Sequence, residues 1–93
     1  MKKIQWNIDK NEKLKEERGI SFDEVLVLIE NKKILDIKKH PSNKYKHQMI
    51  FVIEFDKYIY YIPYVENKKE IFLKTIIPSR QLTKEYLKEK QNE

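Results

Sequence analysis

Gly19 is the only glycine in a chain of 93 residues, and its surroundings constrain the fold more than any other feature. The segment from Asp9 to Arg18 is polar except for Leu14, and Ser21-Phe22-Asp23-Glu24 follows the glycine at the spacing of a capping box. In that motif the serine oxygen accepts from the Glu24 amide while the Glu24 carboxylate returns to the serine amide. A glycine just before it supplies the left-handed residue that ends a helix. The spacing therefore predicts two helices joined at Gly19. The first is capped by Asp9 and runs to about Arg18; the second runs from Phe22 to about Asn31, with Phe22, Val25, Leu26 and Ile29 on its core face. A single glycine also leaves no means of building a glycine-rich phosphate loop or a dinucleotide site.

Beyond the helices the hydrophobic period changes. Ile4 and Trp6 alternate with polar neighbours and predict a short first strand, and Ile34 to Ile37 predicts another. Met49 to Phe55, Tyr58 to Val65 and Ile71 to Ile77 are rich in β-branched and aromatic residues and are separated by turn residues, the pattern of an antiparallel meander. Pro63 cannot donate to a ladder, so a bulge or unpaired position is expected beside it. Leu82, Tyr86 and Leu87 then mark a helix after Pro78. The whole chain, residues 1–93, is expected to form one α+β domain with N-terminal helices packed on a small antiparallel sheet and a C-terminal helix.

The formal net charge is +5 and the sequence pI about 9.3, which favours polyanionic partners. Lysine is also enriched in proteins of A·T-biased genomes, so the position of the charges matters more than their number. Between Asp36 and Gln48 four lysines face one aspartate, and Lys38 to His47 is expected to be a basic loop. No cysteine is present, which excludes a disulfide framework, a thiolate nucleophile and a cysteine-ligated zinc site. The opening Met1-Lys2-Lys3-Ile4-Gln5-Trp6 is not followed by an apolar stretch, and no apolar run approaches the roughly 18 residues of a membrane span. A cytoplasmic protein with no membrane partner is expected.

Any catalysis must use lysine, arginine, histidine, tyrosine and carboxylates, the inventory of a general acid–base ribonuclease that needs no metal or other cofactor. Arg80 falls at the start of the last helix, where the macrodipole disfavours a cation and an anion would relieve the conflict. With the amides of the Ser79 turn it could grip a phosphate, or it could pair with Glu54, Glu70 or Glu85. His47 lies at the mouth of a strand, and imidazole titrates near neutrality. Lys74 on the last strand, and Lys44 and Lys46 on the loop, suit backbone phosphates without sequence preference. Arg80, His47 and Lys74 are the expected catalytic group, with Lys44, Lys46 and Ser79 binding RNA. The tyrosines at 58, 60, 61 and 64 fit cross-strand packing better than base stacking, and His40 fits a structural role.

Three blocks, in order and spanning nearly the whole chain, carry a resemblance. Ile4-Gln5-Trp6-Asn7-Ile8-Asp9-Lys10-Asn11 is similar to an aromatic–polar strand followed by an asparagine-bearing helix. Arg18-Gly19-Ile20-Ser21-Phe22-Asp23-Glu24-Val25 resembles a K-H-G-[VI]-S-F-E-E-A junction, and Ile76-Ile77-Pro78-Ser79-Arg80 resembles a closing I-I-S-A-R. Together they resemble the BrnT-like toxins of type II toxin–antitoxin systems. The resemblance implies a RelE-like fold, a metal-independent endoribonuclease, and a ribbon-helix-helix antitoxin that neutralises it; DNA is met only through that antitoxin. It also implies that Arg80 binds the scissile phosphate. The chain departs from the pattern at Leu73-Lys74-Thr75, where further arginines are usual, and at Glu17-Arg18, which replaces lysine–histidine. A non-catalytic RNA- or antitoxin-binding module of the same fold is the alternative.

Overall fold

The computed structural model describes the backbone of residues 2–91 and the side chains of residues 2–87. In chain order the elements are β1 (Lys3–Trp6), α1 (Ile8–Arg18), α2 (Phe22–Glu30), β2 (Asp36–Lys39), a short 3-10 turn (Asn43–Tyr45), β3 (Met49–Phe55), β4 (Tyr58–Glu66), β5 (Glu70–Leu73), β6 (Ile77–Pro78) and α3 (Arg80–Gln91). The α+β architecture expected from the sequence is observed. Among the described residues no helix is long and apolar enough to cross a membrane.

The junction between α1 and α2 follows local chemistry closely. Gly19 sits at φ +67°, its amide donates to the Lys15 carbonyl, and both halves of the Ser21–Glu24 capping box are formed. The cap of α1 is Asn7 rather than Asp9, because β1 ends at Trp6 and the chain turns directly into the helix. The Asn7 side-chain oxygen accepts from the Lys10 amide at 2.9 Å, leaving Asp9 in the first turn, where its charge suits the positive end of the dipole. Asn11 is buried and ties the helices together: its oxygen accepts from the Phe22 amide at 2.7 Å and its nitrogen donates to Asp23 at 3.0 Å. It thus satisfies one of the amides that the start of α2 leaves without a helical partner.

The six strands form one sheet in the order β1-β5-β4-β3-β2, with β6 also paired to β4. The meander is antiparallel as expected, but β1 joins β5 in parallel, so the sheet is mixed. The expected strand from Ile71 to Ile77 is two strands. β5 pairs Leu73 with Tyr64, β6 pairs Ile77 with Tyr61, and the extra residue between them is a bulge. Pro63 explains the site of the break. Its carbonyl accepts from the Lys74 amide, so its own nitrogen, which has no hydrogen, faces the interrupted edge, where no ladder bond is lost.

β2 also lies further along the chain than Ile34 to Ile37. Lys32 takes a left-handed conformation in the turn after α2, and the register pairs Asp36 with Val52 and Lys39 with Met49. Lys38 and Lys39 therefore belong to a strand at the sheet edge, a place where lysine is well tolerated.

Period-2 alternation divides the core. Phe51, Ile53, Ile62, Tyr64 and Leu73 face α1 and α2, together with Leu14, Ile20, Phe22 and Val25. Ile50, Val52 and Ile59 face the other way, and Tyr61, Leu82, Tyr86 and Leu87 close over them. Each fully buried residue of this size contributes about 1.5–3 kcal/mol of burial. The sheet is thus sandwiched between the N-terminal helix pair and α3, and its two open ends carry the connections.

Candidate functional site

At one end of the sheet the chain passes from β6 into α3, and this junction is fixed by side chains on both sides. The Ser79 amide donates to the Ile59 carbonyl at 2.9 Å, and the Ser79 hydroxyl accepts from the Leu82 amide at 3.1 Å, capping α3. Thr83 completes the lock: its hydroxyl donates to the Ser79 carbonyl at 2.7 Å and accepts from the Ile59 amide at 2.9 Å. Ser79, expected to bind RNA, is therefore occupied as the helix cap. Arg80 is the first residue of α3 and is exposed; among the described residues no carboxylate lies within ion-pair distance of it. Among the described residues, the pairings with Glu70 or Glu85 considered from sequence are not formed. A guanidinium at a positive helix end, without a counter-charge, is a site that favours a bound anion.

A second arginine serves the same segment. The Arg18 guanidinium donates to the carbonyl of Ile76, in the gap between β5 and β6 and four residues before Arg80. Tyr60 pairs with Pro78 across β4 and β6 and belongs to the same neighbourhood. Burial raises its hydroxyl above the ordinary tyrosine value; Asp56, Tyr58 and Glu24 add to the rise, and Arg18 opposes it. Tyr60 is consequently a neutral O–H donor at physiological pH. Its ring stands 5.7 Å from that of Tyr58, and the two follow the tight turn in which Asp56 and Lys57 are both left-handed.

The other two expected catalytic residues do not join this group. The Ser79–Arg80 junction stands level with Ile59, whereas His47 precedes Met49, which pairs with Tyr64. Those levels are five residues apart, about 17 Å of strand at roughly 3.4 Å per residue. β3 and β6 also flank β4 on opposite sides. That separation far exceeds a hydrogen bond or one bridging water. The long loop before β3 closes on itself at the far end, where the His40 amide donates to the Gln48 carbonyl. Lys44 and Lys46 lie on that same far loop.

Lys74 occupies a third position. Its ammonium stands 5.4 Å from the centre of the Phe72 ring, and it lines an open cleft of about 690 Å³ along α1. Asp9, Glu12 and Glu16 line that cleft with Lys10 and Lys13, so three carboxylates face three lysines and the cleft has no net positive charge to draw a phosphate.

Arg80 was singled out from the sequence; Arg18 and Tyr60, which the fold brings to the same segment, were not. Arg18 was visible as a cation immediately before a helix-ending glycine, yet nothing in the local pattern says that it reaches residue 76. Tyr60 was one of four tyrosines on a strand that packs most of them. No protein family, no curated protein and no solved structure matches the chain.

Proposed function

We propose that the chain is the toxin component of a type II toxin–antitoxin pair, a metal-independent endoribonuclease neutralised by a ribbon-helix-helix antitoxin. The observation that carries this reading is Arg80: exposed, free of carboxylate partners among the described residues, and held at a junction locked by Ser79 and Thr83. Support also comes from the three sequence blocks and from an arrangement in which a helix pair and a terminal helix enclose the sheet.

In the proposed reaction a base removes the proton from a ribose 2′-OH and the oxygen attacks the adjacent phosphorus. Arg80 offsets the charge that develops on the phosphorane, and an acid protonates the departing 5′-oxygen. His47 is too distant for the last task. Tyr60 stands at the same end of the sheet but packs with the cluster that faces α1 and α2, opposite the face that α3 covers, and no side chain is named as the acid.

Inducible expression of the wild type should arrest growth and leave RNA with 5′-hydroxyl and 2′,3′-cyclic phosphate ends. Arg80→Ala should do neither while still binding the antitoxin. Full arrest by a folded Arg80→Ala protein would remove the proposal's foundation. The separation of His47 and Lys74 from Arg80 favours one second reading, a non-catalytic module that holds RNA or an acidic antitoxin. Intact RNA after prolonged incubation with the wild type would select it.

A further inference from the structure

The loop at the far end of the sheet, residues 40–48, has an organisation that a merely solvated loop does not need. The His40 amide closes its base on the Gln48 carbonyl at 3.1 Å, and the Gln48 amide donates to the Tyr45 carbonyl at 2.8 Å. Inside, the Ser42 amide donates to His40 Nδ1 at 3.0 Å and the Lys44 amide to the Ser42 hydroxyl at 3.2 Å. The imidazole, oriented by that bond, lies 4.9 Å from the Tyr45 ring on one side and meets the edge of Tyr61 at 6.2 Å on the other. Tyr45 is thus in tilted contact, at 51° between ring planes, with a ring that also touches a residue of the sheet, and it is 38% exposed.

Charge surrounds this ring in one sign. Lys44 stands 5.6 Å from the Tyr45 ring centre, and Lys38, Lys39, Lys46 and His47 are all exposed nearby in the chain. Among the described residues none of these five side chains forms an ion pair, whereas Lys2 pairs with Glu66 and Lys15 with Glu12 and Asp23. The single acid of the segment, Asp36, is turned away: its carboxylate accepts from the Ile37 amide and from the Tyr86 hydroxyl of α3. An exposed aromatic ring with Lys44 beside it and four further unpaired cations close by in the chain matches a strand that alternates bases and phosphates, and an acidic peptide would have no use for the ring.

We propose that this loop is a second nucleic-acid surface, which captures single-stranded RNA by stacking a base on Tyr45 and holding its phosphates with Lys44, Lys46 and their neighbours. The surface rests on the ribonuclease reading for the identity of its strand. It lies well away from Arg80, so it captures the strand several nucleotides from the bond that is cut.

The test is fluorescence anisotropy with a labelled single-stranded RNA of roughly twelve nucleotides, in the range that such surfaces occupy. Wild type, Tyr45→Ala and Lys44→Ala/Lys46→Ala would be compared, each shown to be folded by its thermal melt. Tyr45→Ala should weaken binding roughly tenfold. The double lysine variant should weaken it and flatten the dependence of log K on log salt by about one unit. Equal affinity for all three proteins, no binding by the wild type, or equally effective displacement of RNA by polyglutamate would overturn the proposal. Cleavage of the same RNA by the wild type separates the two readings. Binding that depends on Tyr45 without cleavage sustains this surface and defeats the ribonuclease reading, and cleavage with binding indifferent to the loop does the reverse.

Discussion

The two ends of the sheet carry cations of different kinds, and they are held differently. At the β6–α3 end the charges are arginines. One guanidinium is tied to the Ile76 carbonyl and the other stands on a helix start that Ser79 and Thr83 bind to β4. At the far end the charges are lysines on flexible stems, and the ordered part is the loop backbone with its tilted His40–Tyr45 contact. A planar guanidinium on a fixed base can address two oxygens of one phosphate, whereas ammoniums on long stems provide point charges that follow a backbone. The first arrangement suits work on one bond and the second suits capture of many phosphates without selection.

The largest expected effect tests that division directly. Arg80→Ala should lower RNA cleavage by about 10²–10³-fold, seen mainly in kcat, and Arg80→Lys should restore little of it. Losses at Lys44 and Lys46 should instead raise KM for long RNA. If the arginine variant changed KM alone, the two ends would be equivalent binding surfaces and the comparison would collapse.

Arg18→Ala comes next. Loss of a charge-assisted hydrogen bond to the Ile76 carbonyl should cost about 1–2 kcal/mol in denaturant unfolding, with partial recovery in Arg18→Lys. Cleavage should fall beyond what stability explains if Arg18 positions the Arg80 segment, and that is read by kcat at a temperature where the variant is fully folded. An unfolding midpoint identical to wild type would show that the Ile76 contact contributes nothing to the arginine end.

Gly19→Ala probes the helix junction that brings Arg18 there. A Cβ at Gly19 would meet nothing within 4 Å, so the cost comes from the positive φ alone, about 1 kcal/mol. A neutral melt would mean that the turn relaxes freely. The smallest effect belongs to the lysine end. Burial lowers the His40 value below the ordinary 6.5, so the folded state binds that proton less readily than the unfolded one. Its stabilisation is present above about pH 6.5 and is lost as pH falls toward and through the lowered folded value. Protonation also removes the lone pair that accepts from the Ser42 amide. Protection of the Ser42 and Lys44 amides, taken relative to their intrinsic exchange rates at each pH, should fall in mildly acidic buffer in wild type and stay constant in His40→Asn.

Local chemistry made much of this legible in advance. The capping box, the left-handed glycine and the strands flanking Asp56-Lys57 are decided by residues within a few positions of one another. The β5–β6 break was half legible: Pro63 announced an unpaired position, but its place on the opposite strand depends on which edge the proline nitrogen faces. The parallel pairing of β1 with β5 has no local signature. Nor does the scatter of the expected site, since spacing along a chain does not tell which end of a sheet a residue occupies. The register of β3 on β4 and the bond from the Ser79 amide to Ile59 place His47 and Arg80 at opposite ends.

That parallel pairing also governs when the molecule can be completed. Lys3 meets Glu70 and Trp6 meets Leu73, so the first strand must wait for a partner made nearly the whole length of the chain later. Until then α1 and α2 hold their capped junction but lack half the sheet that covers Phe22 and Val25. Closing so distant a pair carries an entropic cost before any contact repays it, which makes the β1–β5 seam a late, slow event in folding. A chain arrested before residue 73 would keep its helix junction and its β3–β4 hairpin yet expose the helix-facing side of the core, the surface a chaperone or protease recognises first.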